Sequence, residues 1–174
     1  MGAVVRVSPE LENLVRSTPK GFIVESQGLP NLIHELVHAL EAGYLADDHD
    51  FPYREIPLNP RNVGHRRLLW DELACCLLSC AFTPQHERVD WFLEQLEIQP
   101  VFYGMEDNPA DFVRLVDEVF SKWGAQFDDY LVTVRGRLVR ELCSHMPAGS
   151  LSDVKWPEFD ALWRVYRERT LAKG

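Results

Sequence analysis

The sequence predicts a mainly helical chain, α+β in detail, with a small β-sheet near its N-terminal end and a helical C-terminal half. Apolar residues recur at helical spacing through most of the 174 residues, whereas the β-branched and aromatic runs are short and confined to the first 25. With 46% hydrophobic and 26% charged residues the composition is that of a globular chain able to bury a core. No internal repeat or low-complexity tract divides it, so a single domain over residues 1–174 is expected.

Residues 3–7 (AVVRV) and 21–25 (GFIVE) have the content of strands. Between them, the spacing of Leu11, Leu14 and Val15 predicts a short helix over residues 9–17. Two such strands have no independent stability and must pack on a neighbouring element. The next segment, LPNLIHELVHALEAGY at residues 29–44, supplies one. Pro30 stands in its first turn, where the missing N–H costs little, and Leu32, Ile33, Leu36, Val37 and Leu40 form the apolar stripe of a largely buried helix. Residues 46–64 carry three prolines and several turn formers, which predicts a loop long enough to serve as a lid or binding segment. A second apolar helix is expected over residues 66–82, stopped by Pro84. Further helices are expected at residues 88–96, 109–122 behind an Asn108 cap, 126–145 and 157–171.

The net charge of −9 opposes a surface that neutralises phosphates, so no nucleic-acid partner is expected. No apolar run approaches the roughly 18 residues of a membrane helix, and the first residues lack a basic stretch followed by a long apolar one, so no membrane partner and a cytoplasmic location are expected. Of the four cysteines, Cys75, Cys76 and Cys80 fall in an apolar helical segment and read as reduced core thiols, with Cys143 apart from them.

The chemistry lies in His34-Glu35-Leu36-Val37-His38, an HExxH on the first long helix. Residues four apart on a helix are about 40° apart around its axis and one turn along it, so two imidazoles can close on one small cation while the Glu stands beside them. Zn2+ suits this donor set. A catalytic zinc takes three protein ligands and keeps a position for water, whose proton Glu35 can accept as general base during attack on a carbonyl. Two histidines and a Glu buried among Leu, Ile and Val would otherwise strand polar groups, and a metal satisfies them directly.

A third ligand is needed. The metzincin pattern would place a Gly at position 41 and a His at 44, where this chain has Glu41 and Tyr44. The segment Trp70-Asp71-Glu72-Leu73-Ala74-Cys75-Cys76 instead resembles the following helix of gluzincin metallopeptidases, where a Glu completes the site. A narrower resemblance, to ImmA/IrrE-like metallopeptidases, runs from His34 to Pro84: HExxH, then an acidic residue, Ala and an apolar helix ending in Pro. These resemblances imply a zincin-like core over residues 1–84 with a helical extension over 85–174, a zinc held by His34, His38 and Glu72, and hydrolysis of a peptide or protein substrate. The narrower family's spacing favours Asp71 as ligand. Adjacent helical residues point about 100° apart, so one of the two faces the HExxH helix. The longer reach of Glu72 favours it, and Asp71 has an alternative place near the positive end of the helix dipole.

Tyr44, His49, Tyr53, His65 and Arg66 lie in or beside the loop and are candidates for steadying an oxyanion, none with a distinguishing spacing. His86, His145 and the five tryptophans carry no pattern and read as surface or core groups. Two other readings stand beside the hydrolase. One is an interaction module on the same scaffold, which would have no need of Glu35. The other is a helical di-iron oxygenase, for which Glu35 and His38 supply one ExxH but Glu141 and His145, four apart, do not supply the second.

Overall fold

The computed structural model describes residues 2–11, 14–19, 21–41, 56–147 and 149–173. The chain begins with three strands, β1 (Gly2–Val7), β2 (Leu14–Thr18) and β3 (Gly21–Ser26), in the order β1-β3-β2. β3 is central: β1 runs parallel to it, from Gly2 opposite Gly21 to Val7 opposite Ser26, and β2 antiparallel, from Leu14 opposite Glu25 to Thr18 opposite Gly21. The short helix expected over residues 9–17 is therefore not formed. Three apolar residues at helical spacing span too few positions to repay helix nucleation, whereas β3 offers a second edge on which each paired residue gains ladder hydrogen bonds.

Among the described residues six α-helices come after the sheet: α1 (Leu29–Glu41), α2 (Val63–Ser79), α3 (Arg88–Glu97), α4 (Gln99–Phe102), α5 (Pro109–His145) and α6 (Phe159–Leu171). The fold is mainly helical with a small sheet at its N-terminal end. β3 leads into α1 through Gly28, where the Ser26 hydroxyl donates to the Gly28 carbonyl at 2.8 Å and the Leu32 N–H closes the first helical turn on the same carbonyl at 2.9 Å. α1 presents Ile33 and Val37 to the core and packs on α2 more extensively than any other two helices pack.

α2 is the central helix. It starts at Val63, with the Asn62 side chain accepting from the Gly64 N–H at 2.8 Å, and is buried along nearly its whole second half. A helix with no polar face is stable only when wrapped on all sides. α1, α3 and α5 do this. The small residues Ala74, Cys75 and Cys76, all fully buried, allow that close approach. A single 3-10 turn, Cys80–Phe82, ends it before Pro84.

The two helices expected over residues 109–122 and 126–145 are one continuous helix, α5, of 37 residues and about 55 Å. Gly124 does not interrupt it. A glycine costs a helix interior only about 1 kcal/mol against Ala, less than is gained by burying Phe112, Val116, Phe127 and Val134 along one face. A methyl group at position 124 would meet the Phe120 ring at 3.5 Å, an ordinary contact. Gly124→Ala is therefore expected to stabilise the protein by about 0.5–1 kcal/mol, read as a raised denaturation midpoint with unchanged m-value. The Asn108 side chain does not cap α5; its amide donates to Asp111 at 2.9 Å.

The N-terminal half and the helical extension share one core. At its centre an aromatic cluster joins them: Trp70 of α2 meets Phe120 and Phe127 of α5 edge-on or tilted, and Phe159 of α6 stacks on Phe120 at 4.8 Å and on Trp163 at 5.9 Å. Trp70 and Trp163 are buried and Trp91, Trp123 and Trp156 are packed at the rim, as expected of core aromatics. Among the described residues no helix is long and apolar enough to cross a membrane.

Candidate metal centre

The α1–α2 contact brings the motif residues together. Both histidines of α1 turn toward α2, His34 buried and His38 partly so, and their Nε2 atoms face each other at 3.1 Å. Glu72, in the middle of α2 and 6% exposed, places Oε1 at 3.3 Å from Nε2 of His38. Ligand atoms held by a tetrahedral zinc at about 2.0–2.1 Å stand about 3.3 Å from one another, so both separations match edges of such a polyhedron.

The distribution of protons supports the same fit. Nε2 of His38 faces both Nε2 of His34 and Oε1 of Glu72 with at most one N–H to give. Burial holds the His34 imidazole well below its ordinary range, with His38 adding to the effect, so His34 is neutral and keeps a lone pair. Its Nδ1 is buried and has no hydrogen-bond partner among the described residues. Burial also pushes up the carboxyls of Glu72 and Glu35. His38 opposes the shift in both, Gln99 opposes it at Glu72, and the charge of Glu72 adds to it at Glu35. Desolvated carboxylates beside the neutral His34 imidazole form an electron-rich cluster, which is the complement of a cation.

Of the adjacent carboxylates, Glu72 faces the histidines and Asp71 does not. Asp71 accepts from the Tyr130 hydroxyl of α5 and pairs with Arg67 at 3.5 Å. Nor does Asp71 stand at the positive end of the helix. Because α2 begins at Val63, two full turns precede it, and its side chain ties α2 to α5 instead.

Three residues of this neighbourhood carry no motif. Gln99, buried on α4, donates Nε2 to the second oxygen of Glu72 at 2.9 Å and so fixes which oxygen turns to His38. Tyr103, just after α4, is buried with its hydroxyl unpartnered among the described residues, and burial with the charge of Glu72 pushes its phenol up, so it remains an O–H donor. The third is Cys75. One ligand atom from each of His34, His38 and Cys75 lies within 4.8 Å of the others, a grouping that does not include Glu72. Its one signal in the sequence is spacing: Glu72 and Cys75 are three apart, so both lie on the face of α2 that meets α1.

The other residues singled out in the sequence have places of their own. Cys76 and Cys80 are buried thiols, as expected. Cys80 donates to the Cys76 carbonyl at 3.0 Å, and burial pushes its thiol up to about 12. Arg66 is spent on the carbonyls of Pro60 and Arg61, both at 3.3 Å, and lies over the Trp123 ring at 4.2 Å, so it does not reach over the histidines. His65 accepts from the Asn59 N–H at 2.9 Å. Tyr44, His49 and Tyr53 lie outside the described residues. His86 pairs with Glu87 and His145 with Glu141, both exposed at the surface. Compared with protein-family models, with curated proteins and with solved structures, the chain gives no match, and its chemistry rests on the residues themselves.

Proposed function

We propose that the protein is a zinc-dependent hydrolase acting on peptide bonds, with a zincin-like core of the gluzincin type formed by the sheet, α1 and α2. The observation that carries the reading is the meeting of the HExxH helix with Glu72 of the next helix, where Nε2 of His38 stands 3.1 Å from Nε2 of His34 and 3.3 Å from Oε1 of Glu72. His34, His38 and Glu72 would hold the metal. A bound zinc supplies a Lewis acid that lowers the pKa of water and polarises a carbonyl.

The chain's own residues divide the remaining work. Glu35 is half-buried and within electrostatic reach of His38 and Glu72, where a carboxylate can accept the proton of an attacking water and return it to the leaving amine. Gln99 orients Glu72 through its second oxygen, the kind of support that holds a ligand's geometry against rotation. The buried helices on either side exclude bulk water and so strengthen each of these charge interactions. A peptide or protein is the partner this chemistry calls for, and the negative net charge disfavours nucleic acid.

The direct test is elemental analysis of protein purified without added metal, together with peptide cleavage in the presence and absence of a chelator. One zinc per chain and cleavage that stops on chelation and returns with zinc are expected. Two irons per chain would overturn the reading in favour of a di-iron centre. A metal-free protein that binds a partner unchanged would point to an interaction module.

A further inference from the structure

We infer that Cys75 is a fourth protein ligand of the same site, closing the position that a catalytic zinc keeps for water, so that the resting centre is coordinated by two histidines, a carboxylate and a thiolate. This rests on the metal-binding reading above and deepens it, because it names what controls access to the metal.

The argument is positional. Cys75 Sγ stands in one group with a ring nitrogen of each histidine, all within 4.8 Å, near enough for one ion to draw together. Glu72, three residues earlier on the same helix face, places Oε1 at 3.3 Å from Nε2 of His38 and stands outside that 4.8 Å group. Thus α1 contributes two donors one turn apart, and α2 contributes two donors one turn apart across the interface. With the Glu72 carboxylate turned onto the ion that the other three donors surround, this two-plus-two set would fill a tetrahedron, and zinc sites with four protein ligands are closed. Thiolate and imidazole together also suit a borderline-soft cation better than magnesium or calcium. On coordination the thiol proton passes to solvent and the sulfur–metal bond forms, with no change of oxidation state.

The other buried thiols do not share this position. Cys80 is turned to the carbonyls of Cys76 and Arg88, at 3.0 and 3.7 Å, and Cys76 lies outside the donor group. Cys75 is fully buried, so the thiolate can yield its position only by a movement of α2 against α1 or of its own rotamer. Access to the metal would then depend on the packing of those two helices.

The test is replacement of zinc by cobalt(II) in the intact protein. A thiolate ligand gives an intense charge-transfer band in the near ultraviolet, beside the weak visible bands of a tetrahedral cobalt with nitrogen and oxygen donors. The band should be present in the wild type and in Cys76→Ala and lost in Cys75→Ala and in Cys75→Ser, which preserves the side-chain size. Acetohydroxamate, a small metal-binding probe, should perturb the visible spectrum of Cys75→Ala at lower concentration than that of the wild type. Visible cobalt bands without the charge-transfer band would overturn the inference and leave the metal site standing. Equal sensitivity to acetohydroxamate would overturn the closure. Failure to take up cobalt would overturn the inference together with the metal site.

Discussion

Glu35→Gln is expected to lower peptide hydrolysis by roughly 10² to 10⁴-fold, the range for loss of acid–base catalysis, while one zinc per chain remains bound. The substitution keeps the shape of the side chain and removes only its ability to accept a proton. Glu35 shares α1 with both histidines but lies about 100° around the helix from His34, so the imidazoles keep their 3.1 Å separation when it changes. The two measurements therefore part company: metal content is unchanged and turnover falls. Full activity in the variant would show that the protein does not work by proton transfer to Glu35, and loss of zinc would show that Glu35 is a ligand.

The second large effect separates the adjacent carboxylates. Glu72→Ala is expected to strip most of the zinc, because it removes the oxygen that stands 3.3 Å from His38 and leaves Gln99 with a buried amide that has lost its acceptor. Asp71→Ala is expected to keep the metal at one per chain. Its cost falls on stability, because it removes a partner of the Tyr130 hydroxyl and of Arg67, a loss of about 1–3 kcal/mol. Metal analysis and a denaturation curve on both variants read the two effects independently. Zinc lost from Asp71→Ala and retained by Glu72→Ala would move the site by one residue.

Much of the architecture is written in local periodicity. The stripe of Ile33, Val37 and their neighbours marks α1, and the apolar run around Leu69, Leu73 and Leu77 marks α2, because a helix is stabilised in a protein chiefly through the face it buries. Where local signals conflict with long-range pairing, the sequence misleads. Leu11, Leu14 and Val15 suggest a helix, yet Leu14–Thr18 becomes a strand because β3 supplies a partner. The sequence reads as two helices, over residues 109–122 and 126–145, yet α5 runs through residues 123–125 because the aromatic cluster of Phe120, Phe127 and Phe159 straddles them.

The candidate centre divides in the same way. The amino-acid order alone sets His34, Glu35 and His38 on one helix at the spacing a small cation needs, since that geometry depends only on residues four apart. It also sets Glu72 and Cys75 one turn apart on a second helix, for the same reason. Which of Asp71 and Glu72 turns to the histidines, that Cys75 joins them, and that Gln99 reaches across to hold Glu72 were decided only when α1, α2 and α4 packed together. Helical periodicity determines which side chains share a face. Which face meets which is settled by the volumes of Ala74, Cys75 and Cys76, the burial of the second half of α2, and contacts between residues far apart in the chain.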